Sequence, residues 1–362
     1  MNGRKFLIIN IFGIGDVLFT TPIIHNIRNA YPDAYIGYVC NRRACSVLEN
    51  NPKVNRIFIY EKDDYRAIYK ISKIRFLRKA LESLREIKEE KFDIVIDLSL
   101  NKYASFFTWF LGIKRRIGLN YKNRSPLLNT KIELKGFEDK HVVEYYLSTL
   151  EPVGIPVSCR DLELFIQEGE REWVERFLSR ENIKTNDLLI GFLPGGGASW
   201  GSDAHYRRWS VENYAKLANK IIENFNATII LMGDEKEKNL CERMSQMMRR
   251  RPVQACGQTS IPQLAALSRR CHFVIVNDGG PLHVAVAAGA KTISIFGPVD
   301  ETIYGPYPPD QHVVVTRDIA CRPCYRRFHR ADCDHVSCLN LLTADDVFAE
   351  VRRLLEPEHK RG

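Results

Sequence analysis

The segment HFVIVNDGGPLHVAVA, residues 272–287, decides the fold, because it predicts a buried strand that runs directly into a glycine turn and a helix. The apolar run ending at Asn277 has the composition of a strand that is buried on both faces. Gly279 and Gly280 then expose backbone N–H groups, and Pro281 presets the first turn of the helix. This order is typical of open α/β sheets, which bind ligands at the carboxyl ends of their strands.

The same alternation of strands and helices occurs twice along the chain. Predicted strands cover residues 5–11, 35–40, 56–60 and 93–98, and then 188–193, 227–232, 272–277 and 291–296. An aperiodic stretch with two prolines follows Glu151 and marks a boundary. We therefore predict an α/β protein of two Rossmann-like, doubly wound parallel-sheet domains that face a central cleft. They cover residues 1–160 and 161–342, and a C-terminal helix and tail cover residues 343–362.

The composition limits the class of protein. The chain has 362 residues, 45% hydrophobic and 27% charged, and a formal net charge of +9. No apolar run approaches the roughly 18 residues of a membrane-spanning helix, and the apolar N-terminal run predicts a first strand rather than a signal peptide. The scattered cysteines favour a reducing cytoplasm. The positive charge predicts an acidic partner, which could be a nucleotide phosphate, a nucleic acid or an anionic membrane surface.

Residues 62–91 form a basic stretch with helical apolar spacing. Two interpretations remain open. The stretch is either a solvated amphipathic helix or a surface that faces a membrane.

The first predicted strand runs into FGIGDVLFTTP, residues 12–22. Two glycines in the turn allow a substrate to approach the backbone closely. Leu18 stands where the dinucleotide-binding fingerprint has its third glycine, which argues against a nicotinamide enzyme. Asp16 is therefore either a helix cap or a general base at the tip of a strand.

Phosphate-binding features follow a strand of the second half. The loop LPGGGASWGS, residues 193–202, precedes Arg207 and Arg208. A glycine-rich backbone with paired arginines suits phosphate, although the loop lacks the lysine and the spacing of a P-loop. Asp278 and His283 have structural alternatives as an Asx turn and a helix-packing imidazole.

Taken together, residues 15–22, 277–283 and 296–306 resemble glycosyltransferase family 9, the bacterial heptosyltransferases that build the inner core of lipopolysaccharide. The resemblance implies a GT-B fold with an N-terminal acceptor domain and a C-terminal donor domain. It implies inverting transfer of a heptose from ADP-heptose to an anionic lipopolysaccharide core acceptor, with no metal or other cofactor required for catalysis. It further implies a cytoplasmic protein that associates peripherally with the inner face of the inner membrane and binds no nucleic acid.

The resemblance also assigns residues. Asp16 matches the general base, and Gly15, Thr20 and Thr21 fall on the acceptor side. The donor-side matches are Arg207, Glu235, Asp278, Gly279, Gly280 and His283. Arg207 stands where the family usually has a lysine. Glu235 is the first match to the family's donor-contacting glutamate, but Glu237 is close enough in sequence to be that match instead. Two alternatives remain: a family 9 transferase that uses another nucleotide sugar, and a non-catalytic nucleotide-sugar-binding protein of the same fold.

Four cysteines, Cys321, Cys324, Cys333 and Cys338, fall within eighteen residues. This spacing is typical of metal ligands and predicts a structural zinc site. Reduced thiols, a disulfide and a redox or iron–sulfur function are the alternatives. A zinc finger for nucleic acid is disfavoured, because the segment lacks an aromatic platform or a recognition helix.

Overall fold

The computed structural model describes residues 4–197 and 200–356. Residues 198 and 199 of the predicted phosphate loop and residues 357–362 of the predicted tail lie outside this part. The chain divides into two compact units, Met1–Asp161 and Leu162–Gly362. The predicted boundary lies one residue before this division. In the described residues, no helix combines the length and the apolar character needed to cross a bilayer.

The first unit is built on a parallel sheet. Its elements are β1 (Lys5–Ile9), α1 (Ile14–Leu18), α2 (Thr21–Ala30), β2 (Tyr35–Cys40), α3 (Arg42–Cys45), β3 (Arg56–Ile59), α4 (Lys62–Ile71), α5 (Lys73–Glu89), β4 (Ile94–Asp97), α6 (Lys102–Phe110), β5 (Arg115–Tyr121), β6 (Thr130–Leu134), α7 (Val142–Leu147) and a 3₁₀ helix (Ser148–Val153). Within the described residues, six strands pair in the order β3-β2-β1-β4-β5-β6. The strand order reverses between β1 and β4, which is where open α/β sheets form their ligand crevice.

The second unit repeats this plan. Its helices and strands are α8 (Glu168–Arg180), β7 (Leu189–Leu193), α9 (Val211–Phe225), β8 (Thr228–Leu231), α10 (Lys238–Met247), β9 (Val253–Gln254), α11 (Ile261–Arg270), β10 (Phe273–Asn277), α12 (Gly280–Ala287), β11 (Thr292–Phe296), α13 (Glu301–Tyr304), β12 (Val313–Thr316), β13 (Tyr325–Arg326), β14 (His329–Arg330), α14 (Ser337–Asn340) and α15 (Ala344–Leu355), with 3₁₀ helices at Gly201–Arg207, Glu235–Glu237 and Pro309–Gln311. Its main sheet has, in the described residues, six parallel strands in the order β12-β11-β10-β7-β8-β9. The reversal lies between β7 and β10. The prediction of two doubly wound parallel sheets is confirmed.

The C-terminal helix belongs to the core of the second unit. Val347 and Val351 of α15 are fully buried in the same apolar cluster as Trp209, Ile293 and Ile295. The Trp209 indole donates its Nε1–H to the carbonyl oxygen of Leu342 at 2.8 Å, just before the helix begins. Helix α15, which we predicted as a separate terminal segment, is therefore packed into the second unit.

The basic stretch of residues 62–91 forms two helices rather than one. Ser72 has extended backbone angles, with φ −158° and ψ 119°, which ends α4. Its hydroxyl accepts a hydrogen bond from the backbone N–H of Arg75 at 3.3 Å and so caps α5.

Candidate functional site

Asp16 lies at the carboxyl end of β1, in the short helix α1. Gly13 is the residue that caps this helix, and the Asp16 Oδ2 atom accepts a hydrogen bond from the Gly13 backbone N–H at 3.1 Å. Asn10, which is fully buried, donates from its side-chain amide to the Asp16 carbonyl oxygen at 3.1 Å and accepts from the Phe12 N–H at 3.1 Å. The carboxylate is thus held in place at the strand tip. Sequence reasoning gave Asn10 no role.

The two threonines predicted on the acceptor side lie inside the first unit. Thr20 and Thr21 are fully buried. The Thr20 hydroxyl donates to the carbonyl oxygen of Val17 and lies 2.6 Å from the Tyr38 hydroxyl, and that of Thr21 donates to the carbonyl oxygen of Leu18. These bonds fix the joint between α1 and α2. The structure therefore places both hydroxyls in the core rather than on a ligand-facing surface, whereas Gly15 lies half-buried in α1 beside Asp16.

Asp97 is a second carboxylate at this edge of the first sheet. It pairs in register with Ile9 at the end of β1 and is 1% exposed. Burial raises its pKa to about 6, although hydrogen bonds from the Ser99 N–H and hydroxyl act in the opposite direction. Sequence reasoning gave Asp97 no role. A carboxylate at the end of a buried strand was the available signal.

In the second unit, Asn277 ties together the loops that follow β7 and β10. Its side-chain amide donates to the Pro194 carbonyl oxygen at 2.7 Å and accepts from the Trp209 N–H at 3.0 Å. The loops approach so closely that a Cβ atom on Gly279 would lie 2.0 Å from the Gly196 carbonyl oxygen. Glycine at position 279 is therefore required by contact with the opposite backbone.

Of the two candidate glutamates, Glu237 lies against the glycine-rich loop. It is buried, and its carboxylate accepts hydrogen bonds from the N–H groups of Gly197 at 2.9 Å and Asp234 at 3.0 Å. Burial raises its pKa. Glu235, our first choice for a donor contact, has a side chain that is 71% exposed and pairs with Lys238 at 2.7 Å. Of these two glutamates, Glu237 contacts the described part of the glycine-rich loop and Glu235 does not. This contact favours Glu237 as the match to the donor-side glutamate.

Arg207 and Asp278 form a bidentate ion pair. Two guanidinium nitrogens of Arg207 lie 2.8 Å and 2.5 Å from the two carboxylate oxygens of Asp278. The Arg207 side chain is 12% exposed, that of Asp278 is 1% exposed, and the guanidinium carbon stacks 4.8 Å above the Trp200 ring. The next residue, Arg208, donates to the Gly195 carbonyl oxygen. The two arginines therefore join the glycine-rich loop to the start of α12.

Helix α12 begins directly at this junction. Gly280 is its first residue and Pro281 its second, so the N–H groups of its first turn are directed to the edge of the sheet where Asp278 lies. A helix N-terminus of this kind favours anions. His283, predicted on the donor side, is 4% exposed within the helix. This burial agrees with our alternative interpretation of a helix-packing imidazole.

The four clustered cysteines line one small cavity of about 10 Å³ and are free of disulfides. Burial raises the pKa of Cys338 to about 11, and the neighbouring thiols act in the same direction. Four thiols are a suitable donor set for zinc. Within residues 4–197 and 200–356, however, no three His, Cys, Asp or Glu side chains stand in an arrangement that could hold a metal ion. The zinc site therefore stays a prediction.

The cysteine segment packs against the segment that carries Arg207. The hairpin β13–β14 lies between Cys324 and Cys333, and its Tyr325 ring lies 5.1 Å from the Trp200 ring. Arg330 of the same hairpin stacks 3.7 Å above the Tyr206 ring. The cysteine segment thus contacts Trp200, on which Arg207 stacks, and Tyr206, the residue before Arg207.

The chain is similar to known proteins over most of its length. The lipopolysaccharide heptosyltransferase 3 of Escherichia coli is 23% identical over 345 residues, which cover 94% of this chain and 96% of that protein. The lipopolysaccharide heptosyltransferase 2 of Escherichia coli K12 is 25% identical over an alignment of 366 positions, which spans 98% of this chain and 99% of that protein.

Solved structures share the fold. A glycosyltransferase family 9 protein from Veillonella parvula superposes with a TM-score of 0.82 at 24% identity, covering 98% of each chain. The Escherichia coli heptosyltransferase WaaC with ADP superposes with a TM-score of 0.72 at 19% identity, covering 97% of this chain and 100% of that one. The architecture is therefore the GT-B fold. The model of glycosyltransferase family 9 (heptosyltransferase) matches residues 80–335, so the chain belongs to that family and is a glycosyltransferase.

Proposed function

We propose that this enzyme transfers a heptose from ADP-heptose to the inner core of lipopolysaccharide, at the inner face of the inner membrane. The observation that carries the proposal is the junction of the second unit, where the glycine-rich loop, Arg207, Asp278 and the start of α12 meet. Backbone N–H groups, a helix N-terminus and arginines suit a diphosphate. The names of the curated relatives supply the sugar and the acceptor.

The proposed reaction is a single displacement that inverts the anomeric carbon. The acceptor hydroxyl oxygen bonds to the anomeric carbon while the bond between that carbon and the β-phosphate oxygen breaks, and ADP leaves with the electron pair. Asp16 takes the hydroxyl proton as general base. The N-terminus of α12 and Arg208 stabilise the charge that develops on the leaving diphosphate.

In this proposal Arg207 acts first as the partner of Asp278. Its bidentate contact holds the Asp278 carboxylate in one orientation, where it can accept hydrogen bonds from sugar hydroxyls. The pairing also neutralises a buried negative charge next to the proposed diphosphate site. An unpaired carboxylate there would repel the donor.

The test replaces the proposed base. We expect Asp16→Asn to lower turnover by about 10²- to 10⁴-fold, the usual contribution of a general base, while ADP affinity by calorimetry stays within about twofold of wild type. Asp33→Asn, an exposed aspartate of the same unit, is the matched control and should keep full turnover. Asp16→Asn with wild-type turnover would refute the role of the base.

The nucleotide is tested separately by titrating ADP, UDP and GDP into the wild-type protein. Tighter binding of ADP supports the proposed donor. A preference for UDP or GDP would favour a transferase that uses another nucleotide sugar. Binding of ADP-heptose without any turnover on lipopolysaccharide acceptors would favour the non-catalytic alternative.

A further inference from the structure

Helices α4 and α5 of the first unit expose a continuous apolar stripe. Tyr69, Ile71, Ile74, Leu77 and Leu81 are between 51% and 82% exposed. None of the seventeen residues of α5 is buried. Helical residues three and four positions apart share a face, so Ile74, Leu77 and Leu81 form one row. Ordinary surface helices turn such a row toward the core.

Helix α6 exposes a second apolar group, and this one is aromatic. Tyr103, Phe106, Trp109 and Phe110 are between 46% and 58% exposed. The Phe106 and Trp109 rings lie 6.0 Å apart. We call residues 69–81 and 103–110 together the apolar face. Among the described residues, it holds nine of the fourteen exposed large apolar side chains.

The two groups belong to one surface, because α5 and α6 line the same cavity. The inner sides of these helices, with Phe76 and Ala80 on α5 and Phe107 on α6, enclose a mainly apolar cavity of about 160 Å³ above the sheet. The cavity reaches Ser99, which follows β4. The apolar face therefore lies beside the strand ends that carry the first-unit carboxylates.

The charge within the stripe is basic, although Arg78 is paired with Glu82 and Lys79 with Asp64. Between Tyr69 and Leu81 the sequence has five basic residues and no acidic one. Lys70, Lys73 and Arg75 lie among the exposed apolar side chains. Basic residues interleaved with apolar and aromatic side chains match an anionic lipid surface, because the rings enter the headgroup region while the cations meet phosphate groups.

A second copy of the chain fits this surface less well. A symmetric dimer would bring the same surface of both subunits together, and Lys70, Lys73 and Arg75 of each copy would then lie on the shared surface. Like charges at an interface are unfavourable. The charge pattern therefore favours a lipid partner.

We propose that the apolar face docks the enzyme on an anionic lipid bilayer. The aromatic and aliphatic side chains enter the interface, and the basic residues of α4 and α5 contact the headgroups. In the setting of the proposed function, this docking presents the first unit to a lipid-anchored acceptor. Lipid binding itself depends on neither the donor nor the transfer reaction.

The test is co-sedimentation with vesicles at low salt, using phosphatidylcholine alone and phosphatidylcholine with about 30% phosphatidylglycerol. We expect wild-type protein to bind the anionic vesicles and to dissociate as salt rises. The triple variant Ile74→Ser, Leu77→Ser and Leu81→Ser should bind at least about tenfold more weakly. The charge variant Lys70→Gln, Lys73→Gln and Arg75→Gln should lose about a hundredfold.

The matched control carries Met247→Ser, Leu341→Ser and Leu354→Ser, which remove exposed apolar side chains of the second unit, and should bind vesicles like wild type. ADP affinity and circular dichroism show that each variant is folded. These readings separate a failure of docking from a failure of the proposed function.

Three results would overturn the proposal. Wild-type protein could ignore anionic vesicles at low salt. Either face variant could bind them as well as the control. In sedimentation velocity, the wild type could be a dimer that the apolar variant converts to a monomer while vesicle binding stays the same, in which case a second copy covers the face.

Discussion

Replacing Arg207 by methionine should destabilise the second unit strongly, because it leaves Asp278 as a buried carboxylate without its cation. Asp278 is 1% exposed, and its two oxygens lie 2.5 Å and 2.8 Å from the guanidinium of Arg207. Breaking a buried pair by removing one partner costs about 3–5 kcal/mol. Arg207→Met should therefore lower the free energy of unfolding by about that amount.

The companion substitution Asp278→Asn should cost less, about 1–3 kcal/mol, because asparagine still offers an oxygen to Arg207 and the guanidinium still stacks on Trp200. In the double variant neither charge is left alone. Its total cost should then be close to that of Asp278→Asn alone. The difference from additivity, the coupling energy, should reach about 2 kcal/mol or more.

The assay is urea unfolding monitored by tryptophan fluorescence, with Trp200 and Trp209 as reporters in the second unit. The exposed pair Arg171–Glu168, with side chains 58% and 72% exposed, is the matched control and should couple by less than about 1 kcal/mol. If the Arg207–Asp278 coupling were as small as that of the control, the argument from burial would be refuted.

Two other predictions concern the pH dependence of stability and the cysteines. The Asp97 carboxyl has a pKa of about 6 in the folded protein, above its ordinary value of 3.8. The folded state therefore keeps a proton that the unfolded state loses, and the free energy of unfolding falls by about 2 kcal/mol as pH rises from 4 to 6. In urea unfolding at several pH values, Asp97→Asn should remove this fall. Burial lowers the pKa of His312 to about 4, but its contribution is the same in both proteins and cancels when the two free energies of unfolding are subtracted. If the difference in free energy between variant and wild type stayed constant from pH 4 to 6, the assignment to Asp97 would be contradicted. The zinc prediction, which the arrangement of the described side chains does not support, is tested by native mass spectrometry. One zinc ion per chain, absent in Cys324→Ser and present in the control Cys159→Ser, would confirm it, and a metal-free wild type would contradict it. ADP affinity should fall in Cys324→Ser because the hairpin contacts Trp200 and Tyr206.

The strands and turns that the sequence predicted correctly are those whose signal is local. The predicted strand at residues 272–277 is observed as Phe273–Asn277, and the helix after it begins at Gly280. A run that is buried on both faces, followed by glycine and proline, has the same meaning in almost any context. Such patterns were sufficient for the fold class.

The missed strands lie toward the edges of the sheets. We did not predict β5, β6, β9 or β12, nor the small hairpin β13–β14. On the outermost position of its sheet, β6 (Thr130–Leu134) alternates exposed lysine and glutamate with less exposed residues. Charged residues on an edge strand discourage pairing with other chains, so a sequence such as that of β6 resembles a loop. Such strands can be identified only when the strand with which each one pairs is known.

The contacts that sequence reasoning did not predict at the candidate site join distant parts of the chain. Arg207 and Asp278 are 71 positions apart, and each had been given a separate ligand role; the pairing between them appears only when the loops after β7 and β10 meet. Glu237 is buried and Glu235 is exposed. The sequence does not reveal this difference, because both residues belong to one short acidic stretch. Spacing therefore identified the loops, and the three-dimensional contacts show which side chains meet there.

These contacts also bear on the proposed diphosphate site, because carboxylates lie beside it. Asp278 is neutralised by the guanidinium of Arg207, and Glu237 is held by two backbone N–H groups with Arg208 at 3.9 Å. Burial raises the pKa of Glu237. With these carboxylates compensated, the N–H groups at the start of α12 set the local potential. Electrostatics at this edge of the second sheet therefore favours an anion because its own anions are already paired.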